Sequence, residues 1–180
     1  YFLHRDILSG MFVSDKTGQI HYYAINNPEQ ARLVQSVNAV SSGAQITAME
    51  FLVGTVSLVV GSSKGELSQW FLVRDQHNNF DLKQIRDFEQ HPGAITKIES
   101  EYSRKGFMAI DDQGHLGIHY GTSARTLFLE AFDDNVIAKQ IAISPINTNF
   151  LMLDDKGQMH KFELENAHPD VSYKALWNEV

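Results

Sequence analysis

Short apolar runs alternate with small polar turns along most of the chain, and four of those turns share one pattern. Ser14-Asp15-Lys16-Thr17-Gly18-Gln19-Ile20, Ser62-Ser63-Lys64-Gly65-Glu66-Leu67, Asp111-Asp112-Gln113-Gly114-His115-Leu116 and Asp154-Asp155-Lys156-Gly157-Gln158-Met159 align on their glycines, which lie 47, 49 and 43 residues apart. A polar residue follows each glycine, then an aliphatic one. Five positions past it stands a ring: Tyr23, Trp70, His119 or Phe162. Small polar residues ending in a glycine that can take positive φ make a tight hairpin turn. Internal repetition at this spacing is the signature of a repeat architecture.

Each turn follows a run dense in β-branched, aromatic, Met or Leu residues, at 8–13, 56–60, 106–110 and 149–153. Such runs read as strands buried on both faces. Further strands are expected before three of the turns (46–52, 95–99, 137–143) and between the units (32–40, 82–88, 125–132). Four short strands per unit of about 45 residues make the pattern of a propeller blade. The reading is therefore all-β, a β-propeller stretch of about four degenerate four-stranded blades belonging to a larger propeller. Residues 1–166 hold the blades, the first incomplete, and 167–180 form a C-terminal tail in which 173–177 begins a helix or an extended segment.

Two segments carry a family resemblance. His91-Pro92-Gly93-Ala94-Ile95-Thr96 resembles the opening of a WD repeat, and Ile141-Ala142-Ile143-Ser144-Pro145 with the strand and turn from Phe150 to Met159 resembles its second half. The Trp-Asp pair that names the family is missing, and the His and Asp of its buried hydrogen-bond network are not present in every unit. Four blades are few for closure, so either further blades upstream of Tyr1 or self-association of two copies through open propeller edges is expected.

A second resemblance concerns the parent protein. Gln45 to Leu52, Ser68-Gln69-Trp70-Phe71, Arg104-Lys105-Gly106-Phe107, Asn166 to Ser172 and Lys174-Ala175-Leu176-Trp177 resemble the extra domain of long phosphate ABC transporter permeases in Gram-negative bacteria. That resemblance implies a non-catalytic interaction domain on the periplasmic side of the bacterial inner membrane. It also implies docking to other subunits of the importer or to its solute-binding protein, with 167–180 leading towards a membrane segment. The start at Tyr1, without an initiator Met, is expected of a piece cut from something larger. The alternative is a soluble WD-like protein-interaction scaffold unrelated to transport.

Composition narrows the chemistry. A net charge of −7 opposes nucleic acid as a partner, and free phosphate equally. With no cysteine, thiolate metal sites, disulfides and cysteine nucleophiles are excluded. No apolar run reaches the 18 to 20 or so residues that span a bilayer as a helix.

No cofactor, metal or catalytic residue is assigned. His115 and His119, four apart on a strand, would stand roughly 13 Å from each other, too far to share an ion. His21 and His160, each three past a repeat glycine, read as equivalent surface positions. Asp111-Asp112 and Asp154-Asp155 read as turn formers, lacking the alternating ligand set and closing Glu of a calcium loop. Gly61 to Gly65 has its Lys before the last glycine and is not a phosphate-cradling loop. The assigned positions are the structural turn glycines Gly18, Gly65, Gly114 and Gly157, with Trp177 as a contact residue.

Overall fold

The structure is a computed structural model that describes residues 2–5, 8–27, 29–52, 57–101, 106–132, 136–146, 149–164 and 173–177. All of its regular elements are strands. Sheet 1 contains β1 (Phe2–Arg5), β2 (Leu8–Ser14), β3 (Gln19–Asn27) and β4 (Gln30–Asn38). Sheet 2 contains β5 (Ile46–Phe51), β6 (Ser57–Ser62), β7 (Leu67–Arg74) and β8 (Phe80–Asp87). Sheet 3 contains β9 (Ile95–Glu101), β10 (Gly106–Asp111), β11 (His115–Tyr120) and β12 (Thr126–Ala131). Sheet 4 contains β13 (Ala138–Ile143), β14 (Asn149–Asp154), β15 (Met159–Leu164) and β16 (Tyr173–Trp177). Within each sheet the strands lie in chain order and every described pairing is antiparallel.

Two elements differ from the sequence reading. The first unit has four strands rather than an incomplete set, because Phe2–Arg5 pairs with the start of β2. Of the two alternatives for Tyr173–Trp177 the extended one holds, but not as a tail: the segment pairs along β15 as the fourth strand of sheet 4, with Trp177 opposite Lys161. Residues 165–172 lie outside the described residues, as do 133–135.

The sheets repeat down to their irregularities. Each first strand of sheets 2, 3 and 4 bulges at its second position: Thr47, Thr96 and Lys139 are the extra residues. In two of them the Thr hydroxyl donates to the carbonyl four residues before the turn glycine, Thr47 to Gly61 (3.3 Å) and Thr96 to Ile110 (3.2 Å). A second bulge sits in every fourth strand opposite the ring position, with Val34, Ile85, Leu127 and Leu176 as the extra residues. Bulges add local twist and recur as built features of a fold.

Sheets pack face to face in chain order around three apolar layers. Phe12, Ile20 and Tyr22 of sheet 1 meet Leu58, Val60 and Trp70 of sheet 2. Val59, Leu67 and Phe88 meet Ile95, Ile98 and Phe107 of sheet 3. Met108, Leu116 and Ile118 meet Ile141, Phe150 and Phe162 of sheet 4. Fully burying one such side chain contributes about 1.5–3 kcal/mol. The position of a sheet in this series decides its burial: β6 and β10, in the middle sheets, are buried at every residue, whereas β14 alternates buried with more exposed positions. The first strands of sheets 2, 3 and 4 adjoin one another, β5 beside β9 and β9 beside β13.

Candidate functional site

The four repeat turns are built by one device. The residue three before each glycine turns its side-chain oxygen back over the turn to accept two backbone N–H groups. Asp15 Oδ1 takes those of Thr17 (2.8 Å) and Gln19 (3.1 Å), and Ser62 Oγ those of Lys64 (3.1 Å) and Glu66 (3.2 Å). Asp111 Oδ1 takes those of Gln113 (3.0 Å) and His115 (2.9 Å), and Asp154 Oδ1 those of Lys156 (2.9 Å) and Gln158 (2.8 Å). The glycines close the turn with φ of 83°, 80°, 91° and 81° at Gly18, Gly65, Gly114 and Gly157, a region that costs other residues a steric penalty. The reading of these positions as structural turns therefore has a concrete geometry. The sequence did not reveal that the turn glycine also seats the connector to the next sheet: a Cβ at Gly65 would stand 2.1 Å from the carbonyl oxygen of His91.

The second carboxylate oxygen carries a further tie. His21 Nε2 lies 2.8 Å from Asp15 Oδ2, and His160 Nε2 lies 3.0 Å from Asp154 Oδ2. These two histidines are equivalent, as their spacing implied, and each is a clasp across its own turn. The side-chain hydrogen bonds from Thr17 and His21 hold the Asp15 carboxyl well below the usual range. At Asp154 burial pushes the pKa up, but the bonds from His160, Gln158 N–H and Lys156 N–H outweigh it and the net shift is downward.

Sheet 3 departs from the others by burying its tie. Asp111 is fully buried, and its Oδ2 accepts from the Gly93 N–H (3.1 Å) and stands 3.4 Å from His91 Nδ1. His91 Nε2 in turn faces His119 Nε2 at 3.3 Å, and His119 Nδ1 is 3.1 Å from Thr126 Oγ1. One proton arrangement runs along the chain, and only His91 Nδ1, 3.4 Å from Asp111 Oδ2, is left without a hydrogen bond of good geometry. Thr126 donates to His119 Nδ1, His119 Nε2–H donates to His91 Nε2, and His91 Nδ1–H points at Asp111.

Gly117 makes room for both rings, since a Cβ there would come within 2.4 Å of each Nε2. His119 stacks on Phe107, with centroids 5.0 Å apart, between sheets 2 and 3. The pairing links residues 28 apart in sequence, and no spacing rule points to it. His115, which the sequence reading set too far from His119 to share an ion, turns to Asp111 (3.1 Å).

This chain of buried groups sets a pH dependence. Burial disfavours the imidazolium, and with His91 adjacent the pKa of His119 falls to about 3. Its unfolded value is near 6.5. The unfolded chain thus binds a proton that the folded one refuses between these values, so stability is full above pH 6.5 and falls as the pH drops towards 3. We expect a loss of about 2 kcal/mol between pH 6.5 and 4.5 from this one group. Urea titrations across that range should show it, with a shallower slope in His119→Phe; equal slopes would rule His119 out as the cause.

Trp177 is placed only by its backbone, at the end of the outermost strand of sheet 4. A polar recess of about 310 Å³ opens beside the first connector, lined by Asn38, Ser41, Glu66, Gln84, Asp87 and Gln90. Glu66 and Asp87 give it an acidic rim.

These features define an all-β protein of four repeated antiparallel sheets. Among solved structures, the computationally designed protein Ika8 is similar, with a TM-score of 0.70 and 14% identity over 99% of this chain and 48% of that one. The likeness is one of fold, and the chain spans about half the length of that designed protein. No protein-family model and no curated protein matches.

Proposed function

We propose that the four sheets are propeller blades and that the chain is a non-catalytic docking module. The observation that carries this reading is the use made of its polar chemistry: Asp15, Ser62, Asp111 and Asp154, with His21, His91, His115, His119 and His160, are engaged in ties that hold turns and neighbouring sheets. The stacking of sheets in chain order, with first strands adjoining, supports the propeller arrangement.

The resemblance of Gln45–Leu52 and Lys174–Trp177 to long phosphate importer permeases supports a place on the periplasmic side of the inner membrane. There the domain would dock a subunit of the importer or its solute-binding protein. The acidic recess at Glu66 and Asp87 favours a protein partner with donor or basic groups over free phosphate, which it repels. Phosphate uptake by cells whose full-length permease lacks this segment, with membrane insertion verified, tests the assignment. Lost or altered affinity of uptake is expected; unchanged uptake would remove the link to transport.

A further inference from the structure

Successive sheets meet through one repeated set of positions. Counted from the turn glycine, the residues six before and two after face the next sheet: Phe12 and Ile20, Val59 and Leu67, Met108 and Leu116. The residues seven before, five before and five after face the preceding sheet, as Leu58, Val60 and Trp70 do in sheet 2 and Phe150, Met152 and Phe162 do in sheet 4.

At the two ends of the series these positions are apolar as well, yet among the described residues no sheet lies against them. On sheet 4 they are Leu151 and Met159, beside Leu153 at 36% exposure and an open hollow of about 450 Å³. On sheet 1 they are Met11, Val13 and Tyr23, with Val13 39% and Leu33 49% exposed. The glycine seats tell the same story. Gly18, Gly65 and Gly114 each lie against the connector entering the next sheet, whereas a Cβ at Gly157 would meet nothing within 4 Å. Terminal units of a stacked repeat ordinarily present a polar outer face.

We propose that a second copy of this chain docks head to tail, its sheet 1 face on the sheet 4 face of the first, continuing the packing that joins sheets 1 to 4. The sheet 4 face is of the kind that receives a following sheet, and the sheet 1 face is of the kind that follows one, so the two are complementary and neither is self-complementary. Two copies supply eight sheets, and the designed protein that shares this fold over its matched half is about twice as long as this chain. The contact is heterologous, and two such contacts related by a twofold axis close the assembly. This inference stands on the sheet packing and not on the transport reading.

Light scattering on the 180-residue chain at micromolar concentration should give twice 20.3 kDa. Val13→Asp and Leu153→Asp each place a charge on one end face at an exposed position, so each should retain its circular dichroism spectrum and run at 20.3 kDa. Mixed together, they retain one undamaged pair of faces and should regain dimer. A monomeric unmutated chain would overturn the proposal, leaving additional sheets of a longer protein as the occupants of these faces. So would a variant that stays dimeric, or a mixture that stays monomeric.

Discussion

Gly65→Ala is expected to destabilise the fold by about 2–5 kcal/mol, while Gly157→Ala, in the same kind of turn, should cost only about 1–2 kcal/mol. Both glycines have nearly the same φ, 80° and 81°, so both pay the left-handed penalty of a side-chain-bearing residue, about 1–2 kcal/mol. They differ in what a methyl group would meet. At Gly65 it would lie 2.1 Å from the His91 carbonyl oxygen and 2.7 Å from that of Gly93, in the connector that the bond from His91 N–H to Gly65 O (2.9 Å) ties to the turn. Displacing that connector disturbs the seat of sheet 3, and overpacking of this kind adds about 1–3 kcal/mol. Gly114, with Val136 O at 2.9 Å, and Gly18, with a movable Val40 methyl at 2.5 Å, should fall between. Denaturant midpoints for the four alanine variants measure the order. Four equal costs would mean that the glycines serve only their own turns.

Asp111→Ala is the second large effect, about 3–5 kcal/mol. The carboxylate is fully buried, and burial alone would raise its pKa. Bonds from His91, the N–H groups of His115 and Gly93, and the His115 ring overcome that and hold it well below the usual carboxylate range. Removing it leaves the Gln113, His115 and Gly93 N–H groups without their acceptor and His91 without its orienting charge. Asp111→Asn retains an acceptor for the turn but turns an NH2 group towards Gly93 and His91, so an intermediate cost is expected. Faster amide hydrogen exchange at Gly93 should accompany both variants, because that bond ties the connector to the turn. A loss no greater than that of Asp15→Ala, whose carboxylate is about a third exposed, would show that burial adds nothing to the tie.

The strands and turns of this protein were legible in the order of its residues. A side chain three before a glycine reaches N–H groups only two and four residues along, and that chemistry operates wherever the segment lies. Hence the aspartates at 111 and 154 read correctly as turn formers, and Gly18, Gly65, Gly114 and Gly157 marked the hairpins. Asp112 shows the limit of that legibility. It is as polar as its neighbour, yet its Oδ1 accepts the Ala94 N–H at 2.8 Å, across a separation of 18 residues that no local rule supplies.

Tertiary structure alone decided which sheets lie in the middle. Leu8–Ser14 and Asn149–Asp154 are as apolar as Ser57–Ser62 and Gly106–Asp111, so composition marks all four as strands with two buried faces. Only the middle two are closed on both faces, because burial depends on a neighbour arriving from elsewhere in the chain. Strand Tyr173–Trp177 became legible in the same way, once β15 offered it an edge. The His91–His119 contact required Gly117 to leave room for two rings and sheets 2 and 3 to close over them. Local hydrogen-bonding chemistry is written within four or five residues; the packing of one face on another is a property of the assembled sheets.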